Sequence, residues 1–211
     1  RAGKRHNVHS KLMSWLALRR GAELAPLFGD QSLQVRWQQA ADGLHAELCA
    51  RGLDKTGKRF VAAYDHEHPD ASSLLLPIHG FLPPSDERVL RTIEWIQDSL
   101  GAGPYLYRYR TDDGVGGEEG AFVLCGFWLA EVLAMAGRID EAQRVFVAHA
   151  EASNHLGLLA EQIEPGSRTL LGNFPQAFSH LGLINAAARI DLALRLRDEG
   201  SARVPEVEIG R

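Results

Sequence analysis

The chain has 211 residues, 45% of them hydrophobic and 24% charged, with a formal net charge of −4. That length supports one substantial core without requiring two domains, and the composition is that of a soluble globular protein rather than a disordered one. The negative balance suits neither a phosphate backbone nor an anionic surface, and no apolar run nears the roughly 20 residues of a membrane helix, so nucleic acid and membrane are not expected partners.

Apolar residues recurring at helical spacing predict a first helix from Val8 to Ala25, on Val8, Leu12, Trp15 and Leu16, with Pro26 after its end. A second is predicted from Ser32, as N-cap, to Arg51, with Leu33, Trp37, Ala40, Leu44 and Leu48 on one face and Gly52 as the stop. Arg59 to Tyr64 suits a short strand or an extended crossing. The loop after it carries His66, Glu67, His68 and Asp70, which are ligand types, but their spacing fits no strong metal site and Pro69 marks a turn. The apolar run from Ala71 to Gly80 predicts a buried short helix ending near Pro77.

A further helix follows Pro83 and Pro84, with Ser85 as candidate N-cap and Val89, Ile93, Ile96 and Leu100 facing inward. Next comes a long loop, GAGPYLYRYRTDDGVGGEEG, aromatic at first and then glycine-rich and acidic. The following helices are predicted from Glu119 to Ala136, with Phe122, Cys125, Leu129, Val132 and Ala136 inward, and from Ile139 to Asn154. The last begins near Pro175, a residue tolerated in a first turn, with Phe178, Leu181, Ile184, Ala188 and Leu192 along one side. The result is an all-α fold of about seven helices with long loops, on which function gathers. Cys49 and Cys125 stand alone, forming neither a disulfide framework nor a zinc motif, which suits a reducing cytoplasm.

Three loops are rich in groups that bind sugars. Arg108 and Arg110 lie among Tyr105, Tyr107 and Tyr109, combining fixed hydrogen-bond donors with flat apolar faces. Glu118 and Glu119, beside Gly116, Gly117 and Gly120, suit either capping of a helix start or recognition of hydroxyls. Glu161 and Glu164 share the last long loop, flanked by His155 and His180. Glycosidic hydrolysis needs two carboxyl groups across the scissile bond, and local chemistry alone does not select them from 27 acidic residues. A serine-hydrolase elbow, a P-loop and a dinucleotide fingerprint are all missing from the sequence.

Four stretches then carry a resemblance: RHNVHSKLMSW at 5–15, DASSLLLPIHGFLPPSDERV at 70–89, YRYRTDDGVGGEEGAFVLCGFWL at 107–129, and GLLAEQIEPGSRTLLGNFPQAFSHLGLINAA at 157–187. Together, in order and spacing, they resemble bacterial glycoside hydrolase family 15, the glucoamylase, glucodextranase and trehalase group. The resemblance implies a partial (α/α)6 barrel of the six-hairpin glycosidase type over residues 1–200, with 201–211 as a tail. It also implies an inverting, exo-acting α-glucoside hydrolase that releases glucose from trehalose, maltose or maltooligosaccharides, with no metal or other cofactor.

Within that resemblance Glu161, in Ala160-Glu161-Gln162, takes the place of the general base that activates water. Arg108 takes that of the arginine that hydrogen-bonds the terminal glucose. Glu119, Phe122, Gln162, Phe178 and His180 complete the implied substrate-binding set. The family's general acid belongs to a Trp-Glu pair upstream of the segment that corresponds to RAGKRHNVHSK, so its position is expected to precede Arg1. The chain is then expected to hold roughly seven of the twelve barrel helices and to hydrolyse little by itself. Helix faces left bare invite the missing N-terminal part or self-association. The GGEEGAF and LGNFPQAFSH forms lean towards trehalase over glucoamylase. A second class is a helical-repeat interaction module, because LAMAGRIDEAQRVF at 133–146 resembles a tetratricopeptide turn, although no 34-residue period recurs.

Overall fold

The computed structural model describes residues 4–111 and 119–200. Among them are seven α-helices: α1 Val8–Leu24, α2 Gln31–Arg51, α3 Leu75–Ile78, α4 Glu87–Leu100, α5 Val123–Met135, α6 Ile139–Ala150 and α7 Ala177–Asp198. The expected tail at 201–211 lies outside the described residues. None of the described helices is long and apolar enough to cross a membrane.

α1 and α2 form a hairpin through a 3-10 turn, Ala25–Phe28, which closes on Gly29 in the left-handed region (φ 74°). The two helices pack closely because Gly21 lets the Trp37 ring lie against its backbone, where a Cβ would sit 2.9 Å from the indole. Asp30, not Ser32, caps α2: its carboxylate accepts from the Leu33 N–H at 3.0 Å, and the Ser32 hydroxyl donates to that same carboxylate. Asp86 likewise displaces Ser85 as the cap of α4. In both places a carboxylate outcompetes a hydroxyl, as a charged acceptor on a helix N-terminus should.

Residues 59–64 form an extended crossing, with isolated bridges Leu53↔Phe60 and Asn7↔Ala63. The apolar run at 71–78 is wholly buried, as a 3-10 turn, Ala71–Leu74, leading into α3. α3 ends at Ile78, one residue past Pro77, as expected, and the proline is tolerated because a first-turn N–H has no intrahelical acceptor. α4 buries Val89, Ile93, Ile96 and Leu100 as the periodicity predicts.

α5 is the axis of the fold. It is buried on nearly all sides and packs on α6, α7 and α3. It starts at Val123, four residues later than predicted, because Ala121–Phe122 (β3) is drawn into antiparallel pairing with Gln162–Ile163 (β4), which pairs in turn with Leu170–Leu171 (β5). Gly101–Ala102 (β1) and Tyr105–Leu106 (β2) form a second small hairpin. α6 ends at Ala150, short of the predicted Asn154.

The apolar stripe read along one side of α7 is exposed, with Phe178 at 65%, Leu181 at 53% and Ile184 at 59%. The face that meets α5 is made instead of Ser179, Gly182, Ala186, Ile190 and Ala193. Close approach explains the choice: a Cβ at Gly182 would lie 2.7 Å from the Leu124 side chain. Small residues set the distance, and the large ones turn outward.

Candidate active site

Four helical starts are each tied to a neighbouring loop by a backbone hydrogen bond. The Val8 N–H, opening α1, donates to the Ala62 carbonyl (3.0 Å), and the Ala71 N–H, opening the 3-10 turn before α3, donates to the Arg108 carbonyl (2.8 Å). The Val123 N–H, opening α5, donates to the Glu161 carbonyl (3.1 Å), and the Gln176 N–H, before α7, donates to the Leu159 carbonyl (2.9 Å). Residues 159–163 therefore stitch the start of α5 to the start of α7. Ser179 Oγ adds a bond to the Ala160 carbonyl at 2.8 Å.

Glu161 sits at the centre of that stitch, partly buried. Its N–H donates to the Asn173 carbonyl at 3.0 Å. Its Oε2 accepts from the Asn173 backbone N–H at 3.0 Å and from Asn173 Nδ2 at 2.8 Å. Among the described residues no donor reaches Oε1. Gly172, in the left-handed region (φ 72°), passes so close that a Cβ there would be 2.8 Å from Oε2.

Glu164, the other carboxylate of the loop, is turned away. It folds onto its own turn, accepting from the Gly166 and Ser167 N–H groups, and those bonds, the Ser167 backbone bond first, hold its carboxyl below the usual range. The two acids stand at opposite ends of the short strand Gln162–Ile163.

Gln162 is spent locally, its Oε1 accepting from the Gly120 N–H at 3.0 Å. Gly120 is required there, since a Cβ would lie 2.8 Å from the Ile163 carbonyl oxygen. Phe122 is partly buried against the core beside this contact. Glu119 is exposed just before β3 instead of beginning a helix, while Glu118, Gly116 and Gly117 lie outside the described residues. Phe178 projects from the first turn of α7. His180 is engaged at both nitrogens: Nδ1 lies 2.8 Å from the Gln176 carbonyl, and Nε2 accepts from the Leu159 N–H at 3.3 Å. Protonation on Nδ1 satisfies both contacts, so the ring clamps the loop to α7.

The Arg and Tyr cluster divides. Tyr105 is buried, edge-on to His149. Arg110 covers the Tyr107 ring at 4.5 Å and donates to the Gly101 carbonyl. Arg108 belongs to a separate group with Asp70, His9 and Cys125. Its Nε lies 3.7 Å from Asp70 Oδ1 and is buried with no hydrogen-bond partner among the described residues, and its guanidinium is 5.7 Å from the centre of the Tyr109 ring.

His9 is held below the ordinary imidazole range by burial and then by the Arg108 charge, with Asp70 opposing them. The Cys125 thiol is pushed up, by burial first, then by Asp70. Cys125 is two residues past the Val123 bond to Glu161, so Arg108 and Glu161 belong to the same end of α5. Sequence reasoning missed His9, Gly172 and Asn173, and took Asp70 only as one acid in a polar loop. Among the described residues no cluster of His, Cys, Asp and Glu could hold a metal ion.

Comparison with known proteins gives the family and the fold. The model of glycosyl hydrolases family 15 matches residues 1–188. A trehalase of Mycobacterium tuberculosis is 43% identical over 193 residues, covering 90% of this chain and 28% of that protein. A trehalase of Mycolicibacterium smegmatis is 40% identical over 208 residues, covering 97% and 31%. The chain thus spans about a third of the length of the curated relatives it matches. A glycosidase variant solved in complex with glucose superposes with a TM-score of 0.77 at 21% identity, over 90% of this chain and 53% of that one. A bacterial glucoamylase complexed with acarbose gives 0.70 at 15% identity, over 95% and 34%. At these identities the structures speak for the fold, which is that of the six-hairpin helical barrels.

Proposed function

The chain belongs to glycosyl hydrolase family 15, and on that footing we propose that it supplies the general base and part of the glucose site of an inverting α-glucosidase, with trehalose as the substrate. The carrying observation is the Glu161 carboxylate, held through Oε2 at the joined starts of α5 and α7 with Oε1 unoccupied by any described donor. The trehalase relatives, at about 40% identity, support trehalose over longer glucans.

In this reading Glu161 takes a proton from a water on the face of the sugar opposite the leaving group. The water oxygen bonds to the anomeric carbon as the glycosidic bond breaks, and a second carboxylic acid protonates the departing oxygen. The two carboxyl groups of such a pair stand about 6.5–9.5 Å apart. Arg108 would donate to hydroxyls of the terminal glucose, and the exposed Phe178 would offer an apolar face to a pyranose ring. Further barrel helices, covering the outward stripe of α7, would complete the site.

The test uses the full-length protein, assayed for glucose release from trehalose, maltose and a longer maltooligosaccharide, with the anomer of the product followed by NMR. Trehalose should be preferred, with one β-glucose formed per turnover, and Glu161→Gln should lower kcat by about 10²–10⁴-fold. Retention of activity in Glu161→Gln, or release of only α-glucose, would overturn the reading.

A further inference from the structure

The β4–β5 hairpin ends in a clamp around one carboxylate. Its ladder pairs Ile163 with Leu170 and Gln162 with Leu171, and the next residues outward are Glu161, Gly172 and Asn173. Asn173 meets Glu161 three times: its carbonyl accepts from the Glu161 N–H at 3.0 Å, its N–H donates to Oε2 at 3.0 Å, and its side-chain Nδ2 donates to Oε2 at 2.8 Å. The backbone pair fixes where Glu161 enters the site, and the side-chain bond fixes where its carboxylate points.

Gly172 sets the remaining limit. Its positive φ of 72° carries the chain past the carboxylate with only hydrogen on that side, and a methyl group there would lie 2.8 Å from Oε2 and 3.0 Å from the Glu161 Cβ. The carboxylate thus has two donors on one oxygen and backbone against its flank, while its other oxygen meets no described donor. Held this way, a flexible glutamate keeps a single orientation, and only one of its oxygens is available to accept a proton.

We propose that Asn173 is a positioning residue for Glu161: its side-chain amide, beside the glycine at 172, fixes the carboxylate so that Oε1 receives the proton of the attacking water. This rests on the reading of Glu161 as the base. An orientation error of about 1 Å at a reacting group can cost on the order of a hundredfold in rate. The backbone N–H survives substitution, so loss of the side-chain donor alone should cost about 10- to 100-fold.

Asn173→Ala, Asn173→Asp and Gly172→Ala are made in the full-length protein, beside Glu161→Gln, and kcat, KM and thermal midpoint are measured for each on trehalose. Asn173→Ala should lower kcat about 10- to 100-fold with KM within twofold and the midpoint little changed. Asn173→Asp keeps the side chain's shape, puts an acceptor against the carboxylate and should fall further. Asn173 variants that keep wild-type kcat, while Glu161→Gln is inactive, overturn the proposal and leave the base reading intact. A kcat loss that comes only with a matching loss of midpoint assigns Asn173 a structural role and also overturns it. An active Glu161→Gln removes the base reading itself.

Discussion

Asp70 and Arg108 are joined twice: their side chains face each other at 3.7 Å, and the residue after Asp70 donates its N–H to the Arg108 carbonyl at 2.8 Å. Asp70 also caps the 3-10 turn through the Ser72 N–H at 2.7 Å. Asparagine caps as well as aspartate does, so Asp70→Asn removes the charge and spares the cap. His9 reports the change, because Arg108 lowers its pKa and Asp70 raises it. In Asp70→Asn the His9 titration, followed by NMR, should move to lower pH, and in Arg108→Met it should move up. A His9 titration that ignores both substitutions would break up the group.

Of the described glycines, Gly126 leaves the least room for a Cβ. A Cβ there would lie 1.8 Å from His149 Nε2 and 2.2 Å from two ring carbons. His149 is itself confined, with Nδ1 2.8 Å from the Val145 carbonyl and the ring edge-on to Tyr105. Gly126→Ala should therefore destabilise the fold by about 3 kcal/mol, at the upper end for overpacking, as read from urea unfolding. Adding His149→Ala should recover part of that loss, whereas Gly126→Ala at wild-type stability would contradict the packing.

The same histidine makes stability depend on pH. Burial lowers the His149 pKa from 6.5 to about 4, with the Val145 carbonyl opposing it weakly. Between those values the unfolded chain binds a proton that the folded chain does not, so this contribution is complete above pH 6.5 and declines as pH falls to about 4. The full loss is on the order of 3 kcal/mol. Unfolding midpoints measured from pH 7 to pH 4 should fall, and His149→Phe should flatten that slope. An equal slope in the variant would assign the acid sensitivity to other groups.

Helix existence was legible in the sequence because α1, α2, α4 and α5 each carry an apolar repeat with a stop beside it. α7 carries one as well, and there the repeat marks the side turned away from α5. Phe178, Leu181 and Ile184 repeat at helical spacing and point outward, since closeness to α5 is governed by Gly182 and Ala186. Periodicity identifies an apolar face without saying which neighbour it meets. The start of α5 was misplaced for a related reason, because pairing of Ala121 with Ile163 holds extended what local pattern would make helical. Glu161 was found through its motif and not through its chemistry. Asn173 was passed over because its partner lies 12 residues back, across a hairpin whose strands are only two residues long.

Glu131 and Arg189 join α5 to α7 in the interior, 3.4 Å apart with both side chains 8% exposed. The pair is incompletely satisfied, since Arg189 Nη1 is buried with no acceptor among the described residues. Burial raises the Glu131 pKa and outweighs the opposing pull of Arg189, which marks desolvation as the larger effect. Removing one partner should then be far worse than removing both. Glu131→Leu alone strands a buried guanidinium and should cost about 3–5 kcal/mol, whereas Glu131→Leu with Arg189→Met should return close to wild-type stability or exceed it. Denaturant unfolding of the two single variants and the double variant closes the cycle. If the double variant were as unstable as the sum of the singles, the pair would have to be reassigned as two independent contacts, each holding α7 against α5 through its own packing.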